Sequence, residues 1–136
     1  MLLDKTILEL ASGLKSGEFT SADLVNECYD NIEKYNPQTN AFITIVPREQ
    51  AIKNAKDTKL TTLLSGLPFV LKDCFVTEGI KTTAASKVLE NFIPPYSATI
   101  YKKLIEAGAI LVGKMNMDAW GHGGSTENTD FGSVKN

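Results

Sequence analysis

Leu24, Val25, Cys28, Tyr29, Ile32 and Tyr35 recur at intervals of three and four, the spacing that places side chains on one helical face. Thr20-Ser21-Ala22-Asp23 leads into them, and a hydroxyl followed three residues on by a carboxylate predicts a capping box and a helix start. Asn36-Pro37 predicts its end, because the residue before proline is pushed out of the α region. A shorter helix is predicted upstream, with Ile7, Leu8, Ala11 and Leu14 on one side and Gly17 at its exit.

The period then changes. Ala41-Phe42-Ile43-Thr44-Ile45-Val46 is apolar and β-branched and reads as a strand, and Pro47 stands where a first helical turn tolerates a missing N–H, opening a helix from Arg48 to Lys56. Asp57 to Ser65 is a polar, exposed connection leading through Gly66-Leu67-Pro68 into Phe69-Val70-Leu71-Lys72-Asp73, an apolar run that ends on two charges. A further helix is expected from Ser97 to Ala107, with Ile100, Tyr101, Leu104 and Ile105 as its stripe and Gly108 as its left-handed cap. Ala109-Ile110-Leu111-Val112-Gly113 follows as a wholly apolar strand, buried on both faces. The alternation predicts an α/β fold, helices covering a mixed β-sheet, in one piece over 1–136. Glycine, hydroxyl, amide and acid residues crowd the last sixteen positions, from Gly121 to Ser133, with no element to complete them, so the chain is expected to continue past Asn136.

Composition narrows the function classes. The 136 residues are 43% hydrophobic and carry 14 basic against 16 acidic side chains, a formal charge of −2 that gives no general attraction to phosphates or anionic lipid. No apolar run approaches the roughly 20 residues of a membrane span, and Asp4, Lys5 and Glu9 interrupt the start, so a cytoplasmic protein is expected. Two cysteines without CxxC and a lone His122 predict neither a disulfide scaffold nor a metal site. Neither GxxxxGK[ST] nor GxGxxG after a strand occurs, so no nucleotide site is expected in this chain.

Few residues remain that could carry chemistry. Lys72 directly follows Phe69-Val70-Leu71, and a buried ammonium there would lose hydration and move toward a proton-accepting amine. The alternative is a strand-end lysine that snorkels into water, partnered by Asp73. Cys74 and His122 together could form a thiol nucleophile and base, against Cys74 as strand packing beside Phe75 and Val76 and His122 as a loop hydrogen-bonder. Cys28 reads as a small buried hydrophobe. Gly123-Gly124-Ser125-Thr126-Glu127-Asn128 offers close backbone approach and two hydroxyls suited to a small polar substrate, or equally a turn.

Gly66-Leu67-Pro68-Phe69-Val70-Leu71-Lys72-Asp73 resembles the lysine motif of the amidase signature family. Thr82-Thr83-Ala84-Ala85-Ser86, Gly113-Lys114-Met115-Asn116-Met117-Asp118, and Gly124-Ser125-Thr126-Glu127-Asn128 with Phe131-Gly132 follow in the family's order, and within the family look most like the A subunits of tRNA-dependent amidotransferases. The resemblance implies the N-terminal portion of one amidase domain, ending before the Gly/Ser-rich nucleophile loop. It implies a serine, cis-serine and lysine triad of which Lys72 alone lies in this chain, with Gly124, Ser125 and Thr126 as substrate-binding residues. It further implies glutamine hydrolysis for ammonia, B and C partner subunits, ATP and Mg²⁺ at the B subunit, and misacylated tRNA reached through the complex. Ala119-Trp120-Gly121-His122 departs from the family pattern beside the expected glutamine pocket. A stand-alone amidase of another small amide and a non-catalytic interaction fragment are the alternatives, and by itself this chain is expected to be inactive.

Overall fold

The computed structural model describes residues 1–136. The chain forms α1 (Ile7–Ser16), α2 (Ser21–Thr39), β1 (Phe42–Ile45), α3 (Arg48–Asp57), β2 (Pro68–Lys72), α4 (Thr99–Glu106) and β3 (Ile110–Met115), with three single 3₁₀ turns. Two capping boxes start the first two helices. Thr6 and Glu9 close one, and at the other Asp23 N–H donates to Thr20 Oγ1 at 3.2 Å while Thr20 N–H donates back to the Asp23 carboxylate at 2.8 Å.

The three strands lie in the order β1-β3-β2, β3 antiparallel to β1 and parallel to β2, so the sheet is mixed. Parallel neighbours need a crossover, and α4 lies on the one joining β2 to β3. Because successive strand residues point to opposite faces, β3 is covered twice. Ile110 and Val112 meet Val25, Tyr29 and Ile32 of α2 and Ala51 and Ala55 of α3, whereas Leu111 joins Val46 and Leu71 beneath Tyr101 and Leu104. A third cluster seats Leu10 and Leu14 of α1 on Phe19, Leu24 and Leu67. Leu24 and Val25 are wholly buried, worth about 1.5–3 kcal/mol each. Tyr29 spans the core and donates its hydroxyl to Val46 O at 2.6 Å.

Several expectations are corrected. α2 runs through Pro37 to Thr39: the proline is exposed and forfeits one hydrogen bond on the solvent side, while left-handed Asn40 closes the turn onto Asn36 O at 2.8 Å. In α1 the buried face centres on Leu10, Ala11 and Leu14, leaving Ile7 and Leu8 exposed. The α4 stripe is only half used, since Tyr101 and Leu104 pack while Ile100 and Ile105 stay exposed. Ser65 in the supposedly exposed connection is buried, accepting from Thr61 and Thr62 N–H and donating to Ala107 O. β3 continues past Gly113 to Met115 with Lys114 wholly buried, because a partner charge awaits it. Gly108 does take the left-handed conformation, at φ +82°.

Candidate active site

Lys72 is the last residue of β2, beside Met115 of β3. β2 and β3 are parallel and end together, and the carboxyl edge of such a sheet is where side chains and following loops converge on a ligand. Alternation puts Leu71 and Asp73 in the interior and Lys72 on the exposed face. A cavity of about 370 Å³ opens there, lined by Lys72, Asp118, Gly123, Gly124 and Thr126 over a floor of Met115 and Met117.

The loop facing Lys72 is held by Asp118. Its carboxylate accepts from Thr126 N–H at 2.9 Å and Asn128 N–H at 3.0 Å. These backbone hydrogen bonds, with a smaller contribution from the Lys72 charge, keep its carboxyl below the usual range. Gly123 lies so close that a Cβ there would sit 2.4 Å from Asp118 Cγ, so the loop can wrap the carboxylate only where a residue has no side chain. Asn116 fastens the chain beyond, its amide donating to Asn40 O and Gly132 O and its oxygen accepting from Thr129 Oγ1.

A second loop, 82–87, braces the end of β2 and the loop that follows β3. Thr83 donates its N–H and hydroxyl to Asp73 Oδ2, and Ala84 N–H donates to Asp73 O. Trp120 N–H reaches Ala84 O, Asp130 N–H reaches Ala85 O, and Asp130 Oδ2 accepts from Ser86 Oγ and Lys87 N–H. Ala84, Ala85, Trp120 and Thr126 all have positive φ, between 49° and 60°, a conformation that side-chain-bearing residues rarely adopt. Such outliers persist where the surroundings over-determine them, and here they gather in the two loops at one end of the sheet.

Residues 23–136 match the Amidase family. The chain belongs to that family. It is 44% identical over 140 residues to the A subunit of glutamyl-tRNA(Gln) amidotransferase from Geobacter metallireducens, covering 99% of this chain and 29% of the relative. The crystal structure of the corresponding glutamyl-tRNA(Gln) amidotransferase A subunit from Thermotoga maritima superposes with a TM-score of 0.81 at 32% identity, over 100% of this chain and 28% of that one. Native peptide amidase from Stenotrophomonas maltophilia gives a TM-score of 0.78 at 26% identity, over 86% and 26% of the two chains. The chain thus spans under a third of the length of the curated relatives it matches.

Against this amidase frame, the residues singled out in the sequence separate. Lys72, Gly124 and Thr126 line one cavity; Ser125 does not, its hydroxyl turning outward to Glu127 Oε2 at 2.8 Å. Lys72 is exposed, so the burial invoked for it is absent among these residues, and Asp73 pairs with Lys114 instead of with it. Cys74 stands exposed in the turn after β2, not packed on a strand, and His122 lies outside the cavity lining. Cys28 is half-buried, its thiol pushed up to about 11 by burial. No three His, Cys, Asp or Glu side chains gather as a metal site, and no helix is long and apolar enough to cross a membrane. Asp73, Lys114 and Asp118 escaped sequence reasoning as site-builders; for the first two a signal was present, since the apolar runs 69–71 and 109–112 each end two residues before one of them, and the two carry opposite charge.

Proposed function

We propose that this chain is the N-terminal portion of the glutaminase subunit of a tRNA-dependent amidotransferase, and that Lys72 is its catalytic lysine. The observation that supports this most strongly is the convergence of Lys72 and the Asp118-anchored glycine loop on one cavity at the carboxyl edge of the sheet. In this reading a nucleophilic serine, supplied with a second serine by residues beyond 136, attacks the side-chain amide of glutamine. Lys72 takes the serine proton through the second serine and returns it to the departing ammonia; water then releases glutamate. Lys72 reaches into the cavity from the exposed face, and the arriving serine loop would cover it and exclude water. Gly124 and Thr126 present small, polar loop surface to the substrate, whereas Ser125 takes no part through its side chain.

Ammonia is the useful product in this reading. A B subunit consumes it with ATP and Mg²⁺ to amidate glutamate misacylated onto tRNA(Gln), and a C subunit braces the other two. These groups belong to the partners, and in this reading the nucleophilic serine is not among these 136 residues, which alone are inactive. The likeness to peptide amidase favours a second reading, a stand-alone amidase acting on another small amide. The test is to express the protein from its own gene at natural length beside B and C subunits. Co-purification with both and ammonia release from glutamine support the first reading; hydrolysis of other amides by an unaccompanied protein supports the second.

A further inference from the structure

Lys114 is the largest wholly buried side chain in the molecule, and Asp73, equally buried, stands 3.2 Å from its ammonium. Lys114 Nζ also donates to Thr82 Oγ1 at 2.9 Å and Thr77 Oγ1 at 3.2 Å, and Asp73 Oδ2 accepts twice from Thr83. Two charges removed from water are poor stabilisers, because desolvation offsets their attraction and an apolar pair of similar volume does as well or better. Stability therefore does not account for their presence. Their location does. Asp73 follows Lys72 directly, and Lys114 lies in register with Leu71, one position before the Met115 that flanks Lys72. Asp73 N–H donates to Met115 O at 3.0 Å and Phe75 N–H donates to Lys72 O at 3.1 Å, so the turn after Lys72 is tied on both sides. No substrate can reach Lys114, which is 0% exposed.

We propose that the Asp73–Lys114 ion pair is a positioning device that fixes the end of β2 from beneath and holds Lys72 toward the cavity on the opposite face. The inference rests on reading Lys72 as the catalytic lysine. An ion pair whose ammonium is held by Thr77 and Thr82 and whose carboxylate is held by Thr83 suits this task better than apolar packing, because those hydrogen bonds fix one geometry whereas methyl groups slide. Misplacement of a reacting group by about 1 Å costs on the order of a hundredfold in rate.

The test uses the natural-length enzyme with its partner subunits and compares wild type, Lys72→Ala and the double variant Asp73→Asn with Lys114→Met. The double variant keeps the shapes and leaves Thr83 an acceptor while removing both charges. The expected result is a double variant that melts near the wild-type temperature, binds glutamine with unchanged KM and loses about a hundredfold in kcat. A merely structural pair would lower the melting temperature and leave kcat per folded molecule alone, and that result overturns the inference. Should the double variant not fold, Asp73→Asn alone is read in the same way; failure of both to fold makes the pair a folding requirement and equally overturns it. Lys72→Ala separates the two claims. If it keeps activity, the catalytic reading fails, whereas if it is inactive and the double variant turns over normally, only the positioning role is lost.

Discussion

Gly123→Ala perturbs the loop opposite Lys72 without replacing any titratable group. The added Cβ would lie 2.4 Å from Asp118 Cγ and 2.6 Å from Asp118 Oδ2, where ordinary contact begins at 3.4 Å, so about 1 Å must be found. Gly123 does not have positive φ, so alanine suits its backbone and the effect is one of space alone. Asp118 cannot retreat freely, because its two oxygens hold Thr126 N–H and Asn128 N–H; the loop must move instead, taking Gly124 and Thr126 with it. A displacement of about 1 Å in groups that orient a substrate costs on the order of a hundredfold in kcat/KM. The assay is steady-state ammonia release from glutamine by the natural-length enzyme, with a thermal melt alongside. Ser125→Ala serves as the comparison, since it removes only an exposed hydrogen bond to Glu127 and is expected to act like wild type. Wild-type kcat/KM in Gly123→Ala would refute the account of how this loop is held.

Two further outcomes follow from the fold. Gly108→Ala forces a side chain into φ +82° and places its Cβ about 3.0 Å from Ser65 Oγ and 3.1 Å from Ser65 Cα; the left-handed conformation alone costs about 1–2 kcal/mol, so denaturant unfolding should shift by at least that amount, and an unchanged midpoint would contradict it. Burial pushes the Cys28 thiol up to about 11 and the Tyr29 hydroxyl up to about 12, so in the alkaline range the folded chain holds protons that the unfolded chain has lost. Their contribution is complete below pH 9, where the unfolded thiol still keeps its proton, and is lost as pH rises through 11 and 12. Cys28→Ala should remove the part of the decline between pH 9 and 11 in equilibrium unfolding, and an unaltered profile would show the thiol uninvolved.

Much of this was legible in local pattern. The capping box at Thr20 and Asp23, the left-handed Gly108 and the doubly covered Ile110–Val112 run each follow from a rule acting within a few residues, and each appears as expected. The misses share a cause in tertiary context. Lys114 lies outside the strand that the apolar run predicts, which stops at Gly113, and its place inside the strand becomes tolerable only through Asp73, 41 positions earlier. Pro37 reads as a helix stop, yet it forfeits only the one bond its N–H would have made on the exposed side, and the last turn still closes through Asn40 N–H on Asn36 O and Thr39 Oγ1 on Tyr35 O. Cys74 reads as packing because Phe75 and Val76 follow it, whereas the turn at Asp73 rotates it outward. Asp118 lacks any local mark, since its partners are backbone N–H groups eight and ten residues on.

The central claim is that Lys72 is the proton carrier of a glutamine-hydrolysing site. Its most direct test is the rate of ammonia release from glutamine by the natural-length enzyme carrying Lys72→Ala, assembled with its partner subunits and checked for folding by circular dichroism. Lys72 is exposed, so the substitution should leave the fold intact. The account predicts a folded protein with glutaminase activity reduced by about a hundredfold or more, within the range for losing a general acid–base group. A folded Lys72→Ala enzyme that releases ammonia at the wild-type rate would contradict it.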